Sequence, residues 1–149
     1  MRSKKILPPI YLYSAIGLMI FLHFVFPGVQ LLSRPVVFLG LIPLVAGVVI
    51  NLMADRVFKQ RGTTVKPFEP STALVTTGVF RFSRNPMYLG FVFGLIGIAL
   101  LLGSLTPWLV IPVFAVLIDR IFIRVEEQML ADRFGQEFLD YQRNTRRWI

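Results

Sequence analysis

Two groups of charged residues stand beside apolar segments, where they could bind or orient a ligand. In the first group, Arg84 directly precedes Asn85 and Pro86 in the run RNPMYLG. Asparagine is a favoured helix N-cap and proline a favoured first helical residue, so the dipeptide is also explained by a helix start alone. Unpaired N–H groups at a helix N-terminus attract anions, and an adjacent arginine adds positive charge. The pattern predicts either a carboxylate or phosphate site at Arg84 or an arginine that contacts a lipid phosphate.

The second group is a pair of adjacent carboxylates, Glu126 and Glu127. Successive residues of a helix point about 100° apart, so one of these side chains can face a helix bundle while the other faces a basic surface. Arg120 and Arg124 precede the pair at a spacing of one helical turn. A ligand site and an exposed helix end with side-chain ion pairs are both compatible with this pattern.

The composition limits the kind of protein that can carry these groups. The chain has 149 residues, of which 55% are hydrophobic and 16% charged, and this length predicts a single domain, residues 1–149. Its mean hydropathy of +0.68 is high for a soluble domain of this size. The absence of cysteine excludes disulfides, thiolate metal sites and a cysteine nucleophile, and a single histidine excludes a histidine-rich metal cluster. We therefore expect no metal site.

Four apolar stretches approach the roughly 20 residues that a helix needs to cross a bilayer. They span about residues 10–26, 35–54, 87–105 and 107–123. No small-x-small cleavage site follows the first stretch, which favours a retained membrane helix over a signal peptide. The last stretch is expected to continue as a helix up to a cap at Gly135. We expect an all-α polytopic membrane protein with four transmembrane helices, a cytoplasmic loop and a C-terminal helical extension.

The positive charges predict the orientation of these helices. If both termini are cytoplasmic, every Lys and Arg except Arg34 lies on the cytoplasmic side, including Arg2, Lys4, Lys5 and Lys66. This distribution follows the positive-inside rule. The net charge of +8 is then expected to face anionic lipid headgroups, and nucleic acid is not an expected partner.

The third apolar segment carries small residues at helical spacing. Gly90 and Gly94 form a G-x-x-x-G pattern, and Gly97 follows. Such glycines let another backbone approach closely, so the pattern predicts helix packing or contact with a flat ligand. The same face would permit a homodimer.

Two stretches in the second half of the chain carry a family resemblance. LVTTGVFRFSRNPMYLG and EEQMLADRFGQEFLDYQRNTRRWI, within residues 74–149, together resemble the isoprenylcysteine carboxyl methyltransferase family and its wider relatives, the phospholipid methyltransferases. The resemblance implies an integral membrane enzyme that uses S-adenosylmethionine, bound by residues from about 72–88 and 120–149. The acceptor would be a membrane lipid or other hydrophobic substrate, methylated on a carboxylate, amine or thiol.

The resemblance also implies roles for individual residues. The implied cofactor-binding residues are Leu74, Val75, Phe80, Asn85, Pro86, Met87, Tyr88, Glu126, Glu127 and Tyr141. Phe80 stands where the family usually has tyrosine, and Asn85 where it has histidine. The family's substrate-side arginine corresponds to a place near Phe122, so Arg84, Arg120 and Arg124 are the candidates for positioning a substrate.

Three other functions remain open at the level of sequence. The first is a membrane reductase that binds a nicotinamide cofactor, although the chain has no G-x-G-x-x-G run. A small four-helix transporter is the second, and it would be expected to carry an acidic residue inside the membrane, which the first three apolar segments lack. A scaffold protein without a ligand is the third.

Overall fold

The computed structural model describes residues 7–63 and 71–149, and these residues form an all-helical structure. The predicted all-α class is therefore confirmed for them, with a single isolated β-bridge between Gln30 and Ser104. The basic residues at positions 2, 4, 5 and 66 lie outside the described ranges.

Six α-helices form the described structure. They are α1 (Pro8–Val25), α2 (Leu41–Gln60), α3 (Pro86–Leu102), α4 (Val110–Ile118), α5 (Arg124–Phe134) and α6 (Gln136–Asn144). Short 3-10 turns precede α2 (Val36–Gly40), α3 (Gly78–Arg81) and α4 (Thr106–Leu109), and a π-helical turn (Asp119–Ile123) joins α4 to α5.

The helix ends refine the predicted boundaries. α2 continues beyond the predicted residue 54 to Gln60, and on this extension Asp55 pairs with Lys59 one turn later at 2.5 Å. α3 ends at Leu102 instead of 105, because Gly103 adopts a left-handed conformation with φ of 72°. Gly135, with φ of 51°, ends α5 and donates its N–H to the carbonyl oxygen of Ala131, which confirms the predicted cap.

Two helical segments, Pro8–Val25 and Val36–Gln60, are long and apolar enough to cross a membrane. In each, only 17% of the apolar window is buried inside the protein. The core helix of a soluble protein would be mostly buried, whereas these two segments direct large side chains such as Phe21, Phe24 and Ile42 outward. α3 is apolar but shorter. These features are those of a helical membrane protein.

α2 packs directly against α3, and glycines make this close contact possible. A Cβ atom added to Gly97 would lie 2.6 Å from the carbonyl oxygen of Gly40, and one added to Gly90 would collide with the side chain of Asn51. A Cβ on Gly94 would meet nothing within 4 Å. The predicted packing role is therefore confirmed for Gly90 and Gly97. Because this face is used within the chain, it no longer supports a homodimer.

The π turn changes which face of the α4–α5 helix is buried. From α4 into the π turn, buried residues recur every four positions, at Val110, Phe114, Ile118 and Phe122. Ile123, the next residue, is also fully buried, and the buried position after it falls on Glu127. Because a π turn contains one residue more than an α-helical turn, it rotates the residues that follow it about the helix axis. The π turn thus gives Glu127 the most buried position of α5 and leaves Glu126 beside it.

Candidate functional site

A cavity of about 640 Å³ lies where α1 and α3 begin, α2 ends and α5 and α6 pass. This volume is within the usual range of small-molecule sites, roughly 300–1,000 Å³. All ten residues that the resemblance implied for the cofactor line it: Leu74, Val75, Phe80, Asn85, Pro86, Met87, Tyr88, Glu126, Glu127 and Tyr141. The fold therefore brings together residues from two distant parts of the chain.

Glu126 presents a carboxylate to this cavity. Its Oε1 accepts a 2.7 Å hydrogen bond from the Tyr88 hydroxyl, and no cationic side chain of the described residues pairs with it. Burial raises the pKa of Glu126 to about 7; the Tyr88 hydrogen bond lowers that pKa, and the nearby charge of Glu127 raises it. A cationic group entering the cavity would favour the ionised form of Glu126.

Glu127 is buried and bound by two arginines. Its Oε1 lies 2.8 Å from Nη2 of Arg84, and its Oε2 lies 2.7 Å from Nη2 of Arg147. Arg84 lines the cavity, but its guanidinium also donates to the carbonyl oxygens of Gln142 and Thr145. The anion that Arg84 binds is thus a carboxylate of the protein itself.

α3 starts at the predicted residues, but the hydrogen bonds there differ from those of a helix with a side-chain cap. Asn85 occupies the N-cap position and Pro86 the first turn, but the Asn85 side chain does not cap the helix. Its Nδ2 donates instead to the carbonyl oxygen of Arg147 at 3.0 Å. Among residues 7–63 and 71–149, no side chain caps the first N–H groups of the helix. They belong to Met87 and Tyr88, which line the cavity.

Aromatic residues form another wall. Phe80 is buried in the 3-10 turn before α3 and packs edge-on against Phe58 of α2, with ring centroids 5.0 Å apart. The hydroxyl of Tyr141 in α6 donates to the carbonyl oxygen of Phe80 at 2.6 Å. Burial raises the pKa of Tyr141 to about 12, so this hydroxyl remains a donor at physiological pH. The bond holds α6 against the turn before α3.

Arg120 and Arg124 lie outside the cavity. Arg120 is exposed, and Arg124, also exposed, pairs with Asp119 at 3.1 Å. Phe122 lies between them in sequence and is fully buried, 5.4 Å from the ring of Tyr11. The π turn and the residue after it direct both arginines outward, so the structure does not bring these two candidate substrate-positioning residues to the site.

Several lining residues were not predicted from the sequence. Leu7, Pro8 and Pro9 come from the start of α1, and Phe58 comes from the end of α2. Only the positive-inside argument, which places these two helix ends on one membrane face, indicated that they could meet the predicted site. The role of Arg147 had no local sequence signal.

The fold and cavity define a class of protein: a helical membrane protein with a cavity of small-molecule size at one end of its bundle. The family model of the phospholipid methyltransferases matches residues 35–137, and the chain belongs to this family. The match includes α2 to α5 and the segment between α2 and α3, and most of the residues that line the cavity lie within it.

Individual relatives resemble about half of the chain. Over 77 residues, half of this chain, it is 42% identical to protein-S-isoprenylcysteine O-methyltransferase of Saccharomyces cerevisiae. It is 37% identical to the protein of the same name from Tribolium castaneum over 48% of this chain. A third relative is the nickel-cobalt-cadmium resistance protein NccN of Alcaligenes xylosoxydans xylosoxydans, 35% identical over 50% of this chain. The matched stretches span 31%, 26% and 35% of these relatives' own lengths, respectively.

Proposed function

We propose that the protein transfers a methyl group from S-adenosylmethionine to a lipid-like or hydrophobic acceptor at the cytoplasmic membrane face. One observation carries the proposal. The loop before α3, the first turn of α3, and α5 and α6 surround a single cavity, and Glu126 lines it without a cationic partner among the described residues. Membership of a methyltransferase family supports the type of reaction.

The membrane arrangement we propose has four spans. α1, α2, α3 and the helix formed by α4 and the π turn cross the bilayer in alternating directions, with both termini in the cytoplasm. The cavity then lies at the cytoplasmic ends of all four. The basic residues support this orientation, and exposed side chains such as Arg56, Lys59 and Arg120 would face anionic lipid headgroups.

The donor set of the cavity fits the proposed cofactor. S-adenosylmethionine has an ammonium, a carboxylate, a sulfonium and an adenine. Glu126 would bind the ammonium, and the uncapped first turn of α3 would receive the carboxylate. Leu74, Val75 and Phe80 provide apolar and aromatic surface for the adenine. When bound, the cofactor supplies an electrophilic methyl group.

The contribution of the protein to such a reaction is orientation and exclusion of water. Glu126 and the start of α3 would hold the ammonium and the carboxylate of one amino-acid group, which fixes that end of the ligand and limits the directions from which an acceptor can approach. Leu7, Phe58 and Phe91 give the cavity apolar surface on which a hydrophobic acceptor can pack. A carboxylate, an amine or a thiol is each a suitable nucleophile.

A labelling experiment tests this function. The purified protein in nanodiscs is incubated with methyl-labelled S-adenosylmethionine and a total lipid extract of cells. We expect a labelled product in the organic phase that the Glu126→Gln variant forms at least about tenfold more slowly, because a lost charged partner costs roughly 1.5–3 kcal/mol. The Glu137→Gln variant, which changes an exposed glutamate of α6, is the matched control. Labelling at equal rates in all three proteins would contradict the proposed site.

A further inference from the structure

The C-terminal residues bind along the segment that precedes α3. The backbone N–H of Arg84 donates to the carbonyl oxygen of Arg146 at 3.0 Å. The carbonyl oxygen of Arg147 accepts from Asn85 Nδ2 at 3.0 Å and from the Ser83 hydroxyl at 3.3 Å. Residues 142–147 thus form a C-terminal latch that is bound to one edge of the cavity.

The guanidinium of Arg84 strengthens the same contact. One of its nitrogens, Nη1, donates to the carbonyl oxygens of Gln142 and Thr145. Nε and Nη2 both bind Oε1 of Glu127, at 3.2 and 2.8 Å. Arg84 therefore connects the segment before α3, the latch and α5.

Arg147 binds the other side of the same carboxylate. Its Nη2 lies 2.7 Å from Glu127 Oε2 and its Nε lies 3.2 Å from Glu127 Oε1. The side chain of Glu127 is only 9% exposed, so the removal of one cation would leave a poorly solvated negative charge. The hydrogen bonds to Glu127 raise the pKa of Arg147, which keeps its positive charge in place.

The third contact of Arg147 reaches the π turn. Its Nη1 donates to Asp119 Oδ1 at 3.0 Å, and Asp119 is the first residue of that turn. One guanidinium thus binds a carboxylate at the start of the π turn and a second carboxylate in α5, after the turn. A change in this rotation would move Glu127 away from Arg147 and, at the same time, move Glu126 relative to the cavity.

We propose that Arg147 is a positioning residue of the cavity: by binding Asp119 and Glu127 together, it fixes the rotation of α5 that directs Glu126 to the ligand, and it holds the latch in place. The part of this inference that concerns a ligand rests on the proposed function. Arg147 itself does not line the cavity, so its effect reaches the ligand through Glu126 and through the latch.

The test compares two adjacent arginines. Arg146 is exposed, and its side chain makes no ion pair with the described residues, so Arg146→Met is a matched control for Arg147→Met. Binding of S-adenosylmethionine to the detergent-purified full chain is measured by calorimetry. We expect Arg147→Met to weaken binding at least about tenfold, because the buried carboxylate of Glu127 would lose one of its two cations, and Arg146→Met to change it less than about twofold.

A double-mutant cycle separates positioning from a general loss of structure. If Arg147 acts through Glu126, Glu126→Gln costs much less affinity in the Arg147→Met protein than in the wild type, because the interaction is already lost. If Arg147 has a purely structural role, the fold-losses in affinity caused by Glu126→Gln and by Arg147→Met multiply in the double variant. If Arg147→Met does not fold, Arg147→Lys replaces it in the cycle, since it keeps the charge but cannot bind both carboxylates with a planar fork.

A second measurement follows the latch without a ligand. The chain has two tryptophans, Trp108 and Trp148, so Trp108→Phe leaves a single reporter next to Arg147. Trp148 is half-buried against the hydrophobic core that residues of α1, α3, α4 and the π turn form. We expect acrylamide to quench its fluorescence more strongly after Arg147→Met and not after Arg146→Met. Equal quenching together with multiplying affinity losses would overturn the inference.

Failure of the proposed function would look different. If the wild-type protein does not bind S-adenosylmethionine, the proposed cofactor is wrong. The quenching of Trp148 fluorescence alone then tests whether Arg147 holds the latch in place. If the wild type binds and Arg147→Met binds equally well, the positioning role is wrong while the cofactor proposal stands.

Discussion

The hydroxyl of Tyr88 and the carboxylate of Glu126 form a 2.7 Å hydrogen bond that joins the first turn of α3 to α5 at the cavity. Glu127, the next residue, turns to Arg84 and Arg147 instead. Two adjacent carboxylates thus have separate surroundings: among the described residues, Glu127 is paired with two arginines, whereas Glu126 lines the cavity and accepts from one neutral donor. The binding properties of the site follow from this division.

The first prediction concerns pH. The pKa of Glu126 is raised to about 7, so the carboxyl is mostly protonated below pH 7 in the absence of a ligand. An ammonium group favours the ionised form, so affinity should fall by up to about tenfold for each pH unit below 7. Calorimetry with S-adenosylmethionine between pH 5.5 and 7.5 measures this dependence. The difference between the pH profiles of the wild type and Glu126→Gln isolates the contribution of Glu126. Identical profiles for the two proteins would disprove this contribution.

The second prediction concerns the partner of Glu126. The Tyr88 hydrogen bond lowers the pKa of Glu126, so Tyr88→Phe should raise it and shift the pH profile of binding upward by about one unit. At pH 7 the variant should bind more weakly. Tyr13→Phe, which alters an exposed tyrosine of α1, is the control and should leave the profile unchanged. An unshifted profile in Tyr88→Phe would mean that this hydrogen bond does not tune the site.

The third prediction concerns the contact between α2 and α3. A Cβ on Gly97 would lie 2.6 Å from Gly40 O and 2.7 Å from Leu44 Cβ, so Gly97→Ala must separate the helices. We expect a loss of about 1–3 kcal/mol in the free energy of unfolding, measured in detergent. Gly94→Ala, on the same helix but facing open space, should be neutral or slightly stabilising. Equal stability of both variants would contradict the described packing.

The fourth prediction concerns the arginines outside the cavity. Arg124 forms an exposed pair with Asp119, of a kind that contributes about 0–1 kcal/mol, and Arg120 is also exposed. The affinity for S-adenosylmethionine should therefore change less than about twofold in Arg120→Gln and in Arg124→Gln, as measured by calorimetry. A tenfold loss in either variant would place that arginine at the ligand.

Local patterns in the sequence predicted local structure well. Gly135 ends α5 because a residue with positive φ terminates a helix, and Gly90 and Gly97 allow close packing because they have no side chain. The helical phase of adjacent residues predicted that Glu126 and Glu127 would diverge. Such features depend on a few neighbouring residues, which the sequence displays directly.

Relationships between distant residues were not predictable in the same way. Arg84 was expected to bind an external anion, but the nearest anion is Glu127, 43 residues later in the chain. Arg147 had no local signal because its partners, Asp119 and Glu127, meet it only after α6 turns back along the bundle. The π turn, which sets the buried face of α5, was also not predicted, since its residues have an ordinary helical pattern.

The most direct measurement is the binding of S-adenosylmethionine and of NADPH to the detergent-purified protein, by calorimetry, in the wild type, Glu126→Gln and Glu137→Gln. We predict that S-adenosylmethionine binds the wild type and Glu137→Gln with similar affinity, that Glu126→Gln binds it at least about tenfold more weakly, and that NADPH does not bind. Binding of NADPH with no response to S-adenosylmethionine would contradict a methyl-donor site and indicate a reductase. Binding of neither compound would favour a transporter or a scaffold.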